Sequence, residues 1–433
     1  MKIKIEQTIK QIKNFFKTDF LRNSVVVFTG SLMIGVLNYV FHIILGRMVE
    51  VEVYGEAESL LAIFSIFSIL FLSIGTISAK CHSIYKAENN QAYSYYLTLL
   101  FRKKIFIPAL GMVLGGIFVS PLLADFLKIE HVLPIVFIWV AVFIFIFVAI
   151  NNGVLRGWQM FSEFRLLGIF RAFAKLLSVI LLLKLGFSLG GVTGSLVISA
   201  LATFVLSVFL IRNYRSCYLK TAKKEIKKIN LNPSFLKKYA LSVLVGNLAI
   251  NILINVDMVM AKHNLSALEA GQYGALMIAG KIIFFMTNSL IPVIFSMSAA
   301  NYHKNKKTSH FLKYASIILF LIVLTSCFAY FLFPKIILGI LFSGKYLGAY
   351  NYLGWVGVQA SLFSFANLFY HYLISLDNKK ISYVFVILAL FLSITLLLFG
   401  DSIKSIIFIN VFFQLLAVAI AGVFIFKSNS YNN

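Results

Sequence analysis

Long uninterrupted apolar segments recur along all 433 residues and decide what this chain can fold into. A helix that crosses a bilayer needs about 20 mostly apolar residues. Apolar residues make up 60% of the chain and charged residues 12%, whereas soluble domains are about half apolar and a quarter charged. The pattern predicts an all-α polytopic membrane protein with about twelve spans and excludes a soluble enzyme. The predicted spans are residues 24–45, 57–79, 105–124, 132–152, 166–184, 190–211, 239–261, 272–298, 314–333, 350–374, 382–399 and 404–426.

Basic residues are distributed unevenly between alternate connections of these spans. The chain has 39 Lys and Arg residues against 15 Asp and Glu residues. The odd-numbered connections hold few of them, namely Arg47, Lys128, Lys184, Lys262, Lys335, Lys345 and Lys404. Cytoplasmic loops carry the excess of Lys and Arg, so we expect both termini in the cytoplasm and the protein in the cell membrane. Anionic lipid headgroups, and not nucleic acid, account for the net charge of +24.

The spans divide into two halves of six around a basic central connection. Tyr54-Gly55 opens the second span and Tyr273-Gly274 opens the eighth, and at the same offset Asn38 matches Asp257. An internal repeat of this kind is typical of secondary transporters, and it predicts pseudo-two-fold symmetry around a central cavity. We therefore divide the chain into a basic interfacial segment (1–23), a first half (24–211), a cytoplasmic linker (212–238), a second half (239–426) and a cytoplasmic tail (427–433).

Three ordered motifs resemble those of one transporter family. They are Gly46-Arg47 followed by Tyr54-Gly55; Asn152 to Phe161 with Arg156; and Asn255 to Pro292 with Asp257 and Gly271-Gln-Tyr273. This set is similar to the bacterial and archaeal oligosaccharide flippases of the multidrug/oligosaccharidyl-lipid/polysaccharide exporter superfamily. The resemblance implies a non-enzymatic protein that moves lipid-linked oligosaccharide from the inner to the outer leaflet for surface polysaccharide assembly. Its partners would be the bilayer, the lipid-linked substrate, a polysaccharide polymerase and glycosyltransferases.

Two other functions remain open at this stage. A multidrug or lipid II exporter has the same fold, but an exporter of cationic drugs needs a more acidic cavity than the predicted one. A membrane-embedded polysaccharide polymerase or ligase usually needs a large outer loop with catalytic acids or Arg, and the longest outer connection, residues 334–349, has no carboxylate. The sequence contains no motif for a nucleotide, a metal or another cofactor, so the expected energy source is either an ion gradient of H⁺ or Na⁺ or the downhill consumption of the product outside.

Three basic residues fall inside predicted spans, where ionisable groups are costly and therefore indicate function. Arg171 and Lys175 lie on one face of the fifth span, and Lys281 lies deep in the eighth. Together they predict a cationic cavity for the phosphate or diphosphate of the substrate, because fixed cations offset the desolvation of a buried anion. The alternative for Arg171 is a side chain that extends to the cytoplasmic interface.

Other polar residues inside the spans predict a wet interior. Asp257 is expected either to bind a coupling cation, to pair with Lys281 or Lys262, or to lie exposed at the end of its helix. The predicted polar lining consists of Asn38, His42, Asn247, Asn251, Asn255, Asn367 and His371. Hydrogen bonds between helices are the alternative role for this set. For His42 and His371, the choice lies between a proton switch and ordinary packing.

Overall fold

The computed structural model describes residues 19–88, 90–220, 233–288, 290–302, 308–376 and 378–430, which are almost entirely helical. The long helices are α1 (Asp19–Met48), α2 (Val51–Ala87), α3 (Gln91–Leu127), α4 (Leu133–Gly157), α5 (Phe161–Lys184), α6 (Ser188–Leu210), α7 (Pro233–Asn264), α8 (Ala267–Asn288), α9 (Ser309–Leu332), α10 (Leu353–Ser375), α11 (Lys380–Phe399) and α12 (Ile403–Ser430). Each matches one predicted span. Within the described residues, 10 helices are long and apolar enough to cross a membrane. The predicted all-α membrane fold is confirmed.

Two helices of the first half are much longer than their apolar segments. Helix α2 and helix α3 each contain 37 residues, or about 55 Å at the helical rise of about 1.5 Å per residue. The hydrocarbon core is only about 30 Å thick. Hydropathy identifies the lipid-buried part of a helix, so the predicted bounds 57–79 and 105–124 omit the polar turns that project beyond it.

The eighth span is interrupted, whereas the sequence predicted one helix over 272–298. Helix α8 ends at Asn288, and a separate short helix runs over Ile291–Tyr302. Pro292 lies in the first turn of that short helix, where the missing proline N–H leaves no helical hydrogen bond unmade. A proline can therefore begin this segment but cannot continue the preceding helix.

Three shorter elements complete the described chain. A helix over Arg212–Lys220 packs on α3, a helix spans Pro334–Phe342, and a 3₁₀ helix spans Gly344–Tyr352. The first of these occupies part of the predicted linker, and the rest of that linker up to residue 232 lies outside the described residues, as do residues 1–18 and 431–433. Within the first element, burial raises the pKa of Tyr214 to about 12, so its hydroxyl stays protonated and donates to Met160 Sδ at 3.2 Å.

Each half repeats the same packing scheme. In the first half α2 packs on α4, α4 on α6, and α1 on α5. In the second half α8 packs on α10, α10 on α12, and α7 on α11. The two halves are thus built alike, as the repeated Tyr-Gly dipeptides predicted.

The packing between the halves is not symmetric. Helix α2 packs closely along both α7 and α8, whereas α1 barely touches α8. Two-fold symmetry between the halves would make the contact of α2 with α7 equivalent to the contact of α8 with α1. A gap therefore opens between α1 and α8 on one side of the molecule.

The halves meet tightly at the end of the molecule that carries the α1–α2 and α7–α8 connections, which we call the closed end. A Cβ built on Gly55 would lie 2.7 Å from the Gly271 nitrogen, so only glycine permits this approach. The Tyr54, Phe342 and Tyr346 rings pack together there, with Tyr54 and Tyr346 5.4 Å apart. Burial raises the pKa of Tyr346, and its protonated hydroxyl donates to the Gly46 carbonyl at 3.0 Å. The opposite end, which carries the start of α1 and the end of α12, we call the terminal end.

Candidate functional site

A central cavity of about 660 Å³ lies between the halves. Its walls come from α1, α2, α4, α5 and α6 of the first half and from α7 and α8 of the second. The lining extends from Glu58 and His42, next to the closed end, to Arg156 and Arg165, next to the terminal end. The first half supplies most of the surface, and the second half closes one side.

The cavity lining is strongly basic. Arg171, Lys175 and Lys281 all contribute to it, so the structure brings the three sequence-predicted cations to one space. Arg156 and Arg165 join them, and sequence reasoning missed both because they fell in the connection after the fourth predicted span. Arg156 lies within the Asn152–Phe161 motif, and this motif could have identified it as a candidate site residue. The Arg171 guanidinium lies over the Phe145 ring at 5.6 Å, an inward position rather than one at the interface.

Lys175 is held by neutral partners. Its Nζ donates to Asn38 Oδ1 at 2.7 Å and lies 4.0 Å from the centre of the Phe41 ring. The Asn38 amide in turn donates to the Ile34 carbonyl at 2.9 Å, which fixes the acceptor oxygen toward the lysine. An amide oxygen and an aromatic face solvate an ammonium group without neutralising it, so Lys175 remains available to an anionic ligand.

Lys281 is arranged in a similar way on the opposite wall. Its Nζ donates to Asn255 Oδ1 at 3.0 Å. The Asn255 amide donates to the Asn251 carbonyl at 2.9 Å and to Ser65 Oγ at 3.3 Å. Among the described residues, neither Lys175 nor Lys281 has a carboxylate within 4.0 Å. Two lysine side chains that form no ion pair within 4.0 Å therefore face the cavity from α5 and α8.

A buried acid and a histidine form a pair that sequence reasoning did not foresee. Glu58 is 2% exposed, and its Oε1 lies 2.5 Å from His42 Nδ1. Both residues line the cavity. Glu58 could have been identified from the sequence, because it falls within the second predicted span and an ionisable residue inside a span is rare. Glu58 is the single carboxylate among the described side chains that line the cavity.

Asp257 lies outside the main cavity and is fully engaged. It is 1% exposed, which rules out the exposed position. Tyr273 donates to Oδ2 at 2.7 Å and Gln359 Nε2 at 3.1 Å, while the Met258 N–H donates to Oδ1 at 2.8 Å. Of the alternatives for Asp257, the pair with Lys262 does not form, because Lys262 lies 3.3 Å from Glu56 Oε1 instead.

A second, small cavity adjoins Asp257. It measures about 30 Å³, the size of one water molecule, and Lys281 and Gln359 also line it. Asp257 and Lys281 thus face the same small space without forming an ion pair within 4.0 Å. This arrangement connects the Asp257 hydrogen bonds to the wall of the main cavity.

The remaining predicted polar residues divide into two groups. Asn38, His42, Asn251 and Asn255 line the cavity, whereas Asn247, Asn367 and His371 do not. Asn367 is 2% exposed and donates to Asn288 Oδ1 at 3.3 Å, and His371 Nδ1 lies 2.9 Å from the Asn367 carbonyl. Helix α10 packs on α8 and α9, so its polar face joins helices and does not meet the cavity. Within the described part of the chain, no group of three His, Cys, Asp or Glu residues could hold a metal ion.

Solved structures of transporters share this fold. A multidrug resistance MATE family transporter of the MOP superfamily in an inward-facing conformation matches with a TM-score of 0.74 and 14% identity, covering 94% of this chain and 98% of that one. An outward-facing structure from the same family matches with a TM-score of 0.56 and 15% identity over 95% and 96% of the chains.

A third relative differs in the description of its binding site. This MOP superfamily transporter from Pyrococcus furiosus matches with a TM-score of 0.57 and 16% identity over 95% of each chain. Its binding pocket is described as having a reverse polarity that suggests a different function. At these identities the likeness establishes the fold of the present chain.

Sequence comparisons establish the family. A search of curated proteins finds no significant match. A family model described as polysaccharide biosynthesis protein matches residues 20–298, which is well over half of the chain. The matched region contains α1 to α8 and therefore every basic residue of the cavity lining. The chain belongs to the polysaccharide biosynthesis protein family and has the helical fold of the MOP transporter superfamily.

Proposed function

We propose that this protein is a flippase that moves a lipid-linked oligosaccharide from the cytoplasmic to the outer leaflet for surface polysaccharide assembly. The observation that carries the proposal is a central cavity lined by five basic side chains and one acidic one among the described residues. A phosphate or diphosphate linker must cross a medium in which an unpaired ion is costly by several kcal/mol. Fixed cations inside a cavity remove that cost. A cavity of this sign favours an anionic substrate over a cationic drug.

The cations of α5 form a path into the molecule. Arg165, Arg171 and Lys175 lie along one helix and all line the cavity. At about 1.5 Å per residue, the path from Arg165 to Lys175 is about 15 Å long. A phosphate that enters near Arg165 is passed to Lys175 and Lys281 without losing its counter-charges. We infer that these two lysines hold the linker before transport.

The gap between α1 and α8 suits the lipid part of such a substrate. Both helices that border it carry exposed apolar side chains, including Phe28 and Val36 on α1 and Phe285 and Met286 on α8. A polyprenyl chain lying in this gap keeps its contact with the bilayer while the headgroup enters the cavity. Rocking of residues 24–211 against 239–426 then exposes the headgroup on the other side, which is alternating access.

The proposal requires that the terminal end faces the cytoplasm, and a fusion experiment checks this. We expect a green fluorescent protein joined after Asn433 to fluoresce and an alkaline phosphatase at the same place to be inactive, because Lys and Arg are concentrated in the connections of that end. The same pair of reporters inserted in the connection between α3 and α4, after Ile129, serves as the control and should give the opposite result. Active phosphatase at the C-terminus would contradict the orientation.

For Asp257 we propose a structural role as an anchor between α7, α8 and α10. Asp257→Ala is expected to lower the thermal stability of the purified protein by several degrees, because the buried Tyr273 hydroxyl and Gln359 amide lose their acceptor. Asp257→Asn keeps one acceptor oxygen and should recover most of the loss. If Asp257→Asn is stable but abolishes transport or its dependence on Na⁺, Asp257 is a coupling site and the anchor role is insufficient.

The direct test is the leaflet on which lipid-linked oligosaccharide accumulates in a strain that lacks the gene. Accumulation on the cytoplasmic leaflet with loss of surface polysaccharide is expected, and it also supplies the substrate for identification. Normal flipping with unpolymerised units outside would indicate a polymerase or ligase instead. A normal glycan profile, in a strain where no second flippase is expressed, would favour an exporter of another compound.

A further inference from the structure

Arg165 lies far from the two lysines that hold the phosphate linker in the proposed function. Arg165 and Lys175 both line the cavity and are ten residues apart on α5, or about 15 Å at the helical rise of about 1.5 Å per residue. A diphosphate consists of two phosphorus atoms joined through one oxygen, so it spans only a small part of that distance. A linker bound between Lys175 and Lys281 therefore does not reach Arg165.

The Arg165 side chain is also fixed where it stands. Its stem lies against Gly30 of α1, because a Cβ built on that glycine would lie 2.8 Å from Arg165 Cβ and 3.0 Å from Arg165 Cδ. Its guanidinium lies over the Phe164 ring, 4.9 Å from the ring centre. Moving the guanidinium toward Lys175 would break both contacts. The positive charge of Arg165 therefore stays near the terminal end.

The described part of the chain does not neutralise Arg165. Among the described residues, it has no carboxylate within 4.0 Å, and its buried Nε has no hydrogen-bond partner. The Arg156 guanidinium lies 5.7 Å from the centre of the same Phe164 ring, so a second positive charge is close by. A buried polar group without a partner costs free energy, and at a binding site the ligand supplies that partner.

The charge of the lining exceeds that of the linker. Even without Arg156, the described lining has four basic side chains and one acidic one, an excess of three positive charges. A diphosphate that joins a lipid to a sugar is esterified on both phosphorus atoms and carries two negative charges. Arg171, Lys175 and Lys281, together with Glu58, match the linker. Arg165 is the cation that remains.

The glycan of a bound substrate extends past Arg165. Aromatic rings seal the closed end, so sugars attached to a linker at the lysines extend toward the terminal end. Asn152 and Thr203 line the cavity in the terminal-end halves of α4 and α6, and they supply neutral polar groups for sugar hydroxyls. A sugar some way along the glycan thus meets a fixed arginine.

We propose that the transported glycan is acidic, and that a sugar beyond the one joined to the diphosphate carries a carboxylate that pairs with Arg165. This inference rests on the proposed function. The planar guanidinium group matches a carboxylate in geometry and remains charged at every physiological pH. Arg165 is then a specificity residue for the glycan, whereas Lys175 and Lys281 bind the linker that every such substrate shares.

A matched set of substrate analogues tests the proposal. The neutral probe is a diphosphate diester of farnesol and a linear trisaccharide of glucose. In the two acidic probes, the second or the third glucose is replaced by glucuronate, whose carboxylate is ionised at about pH 7. Binding to the full-length protein in detergent is measured by calorimetry. We expect the better acidic probe to bind at least about tenfold more tightly than the neutral one, which corresponds to about 1.4 kcal/mol.

Three variants and a control assign the preference to one side chain. Arg165→Gln should bind the neutral probe as the unaltered protein does, which also shows that it is folded, and should lose the preference for the acidic probes. Arg165→Lys keeps the charge and should retain part of the preference. Lys281→Gln should weaken the binding of neutral and acidic probes by the same factor. The matched control is Arg212→Gln, which removes an exposed arginine that lies over the Phe209 ring outside the cavity lining.

Each contrary result is distinct. Equal affinity of the unaltered protein for neutral and acidic probes overturns the inference and leaves the proposed function in place. A preference that persists in Arg165→Gln overturns the assignment to Arg165. Absence of binding of every probe contradicts the proposed function itself. The glycan that accumulates in the strain lacking the gene gives a second readout, because mass spectrometry should find an acidic sugar in it, and a neutral glycan overturns the inference.

Discussion

Lys281→Ala is expected to abolish transport while expression and folding stay intact. Among the described residues, Lys281 is the one cation that the second half contributes to the cavity lining. Its hydrogen bond is to the neutral Asn255 amide, so its removal breaks no ion pair within 4.0 Å. The substrate phosphate loses its counter-charge on one wall of the cavity. We expect a fall of at least about 100-fold in transport, which corresponds to about 2.7 kcal/mol.

The measurement is transport of labelled lipid-linked oligosaccharide in proteoliposomes, together with recovery of surface polysaccharide in a deletion strain. Lys281→Arg keeps the charge and should retain a substantial part of the activity. Lys404→Ala removes an exposed lysine at the start of α12 and serves as the matched control. Unchanged transport by Lys281→Ala would remove Lys281 from the proposed phosphate site.

Gly271→Val is expected to hold the closed end open and to reduce transport at least about tenfold. A Cβ on Gly271 would overlap the carbonyl oxygen of Val51, and backbone atoms cannot rotate away as a flexible side chain does. Helices α2 and α8 must therefore separate in the arrangement described here. Overpacking of this kind costs about 1–3 kcal/mol, and about 1.4 kcal/mol changes an equilibrium tenfold. The free energy of the state in which the closed end is open falls by that amount relative to the closed state.

Accessibility at the closed end measures the shift directly. Ala349 is 1% exposed in the 3₁₀ helix that covers this end. In a chain without its native cysteines, Ala349→Cys should react with a membrane-impermeant thiol reagent much faster when Gly271→Val is present. Gly111→Val is the matched control, because a Cβ there meets open space on α3. Equal labelling with and without Gly271→Val would show that the glycine contact does not hold the closed end shut.

The presence, order and number of the spans could be predicted because the bilayer places the same physical requirement on every spanning segment. A spanning segment must satisfy its own backbone hydrogen bonds and expose apolar side chains, so each helix appears as an apolar run of sufficient length. The ends of α2 and α3 could not be predicted, since helices continue into water without an apolar pattern. The break after Asn288 was also missed, although Pro292 marks it.

For the site, the cost of an intramembrane charge was enough to find Arg171, Lys175 and Lys281, which the structure brings to one cavity. The same argument applied to Glu58, which sequence reasoning passed over. The Asn247, Asn367 and His371 side chains carried an equally good polar pattern and yet lie away from the cavity lining. A polar face indicates a neighbour other than lipid, but it does not distinguish a water-filled cavity from another helix.

The sequence by itself determined the fold class, the repeat of two halves and the basic character of the interior, because each depends on residue properties that act one segment at a time. Only the tertiary structure decided which polar faces meet, that Lys262 pairs with Glu56 and not Asp257, and that α1 stands away from α8. These features depend on how helices approach one another. In lipid no hydrophobic force selects that approach, so local contacts such as Gly55 with Gly271 set it.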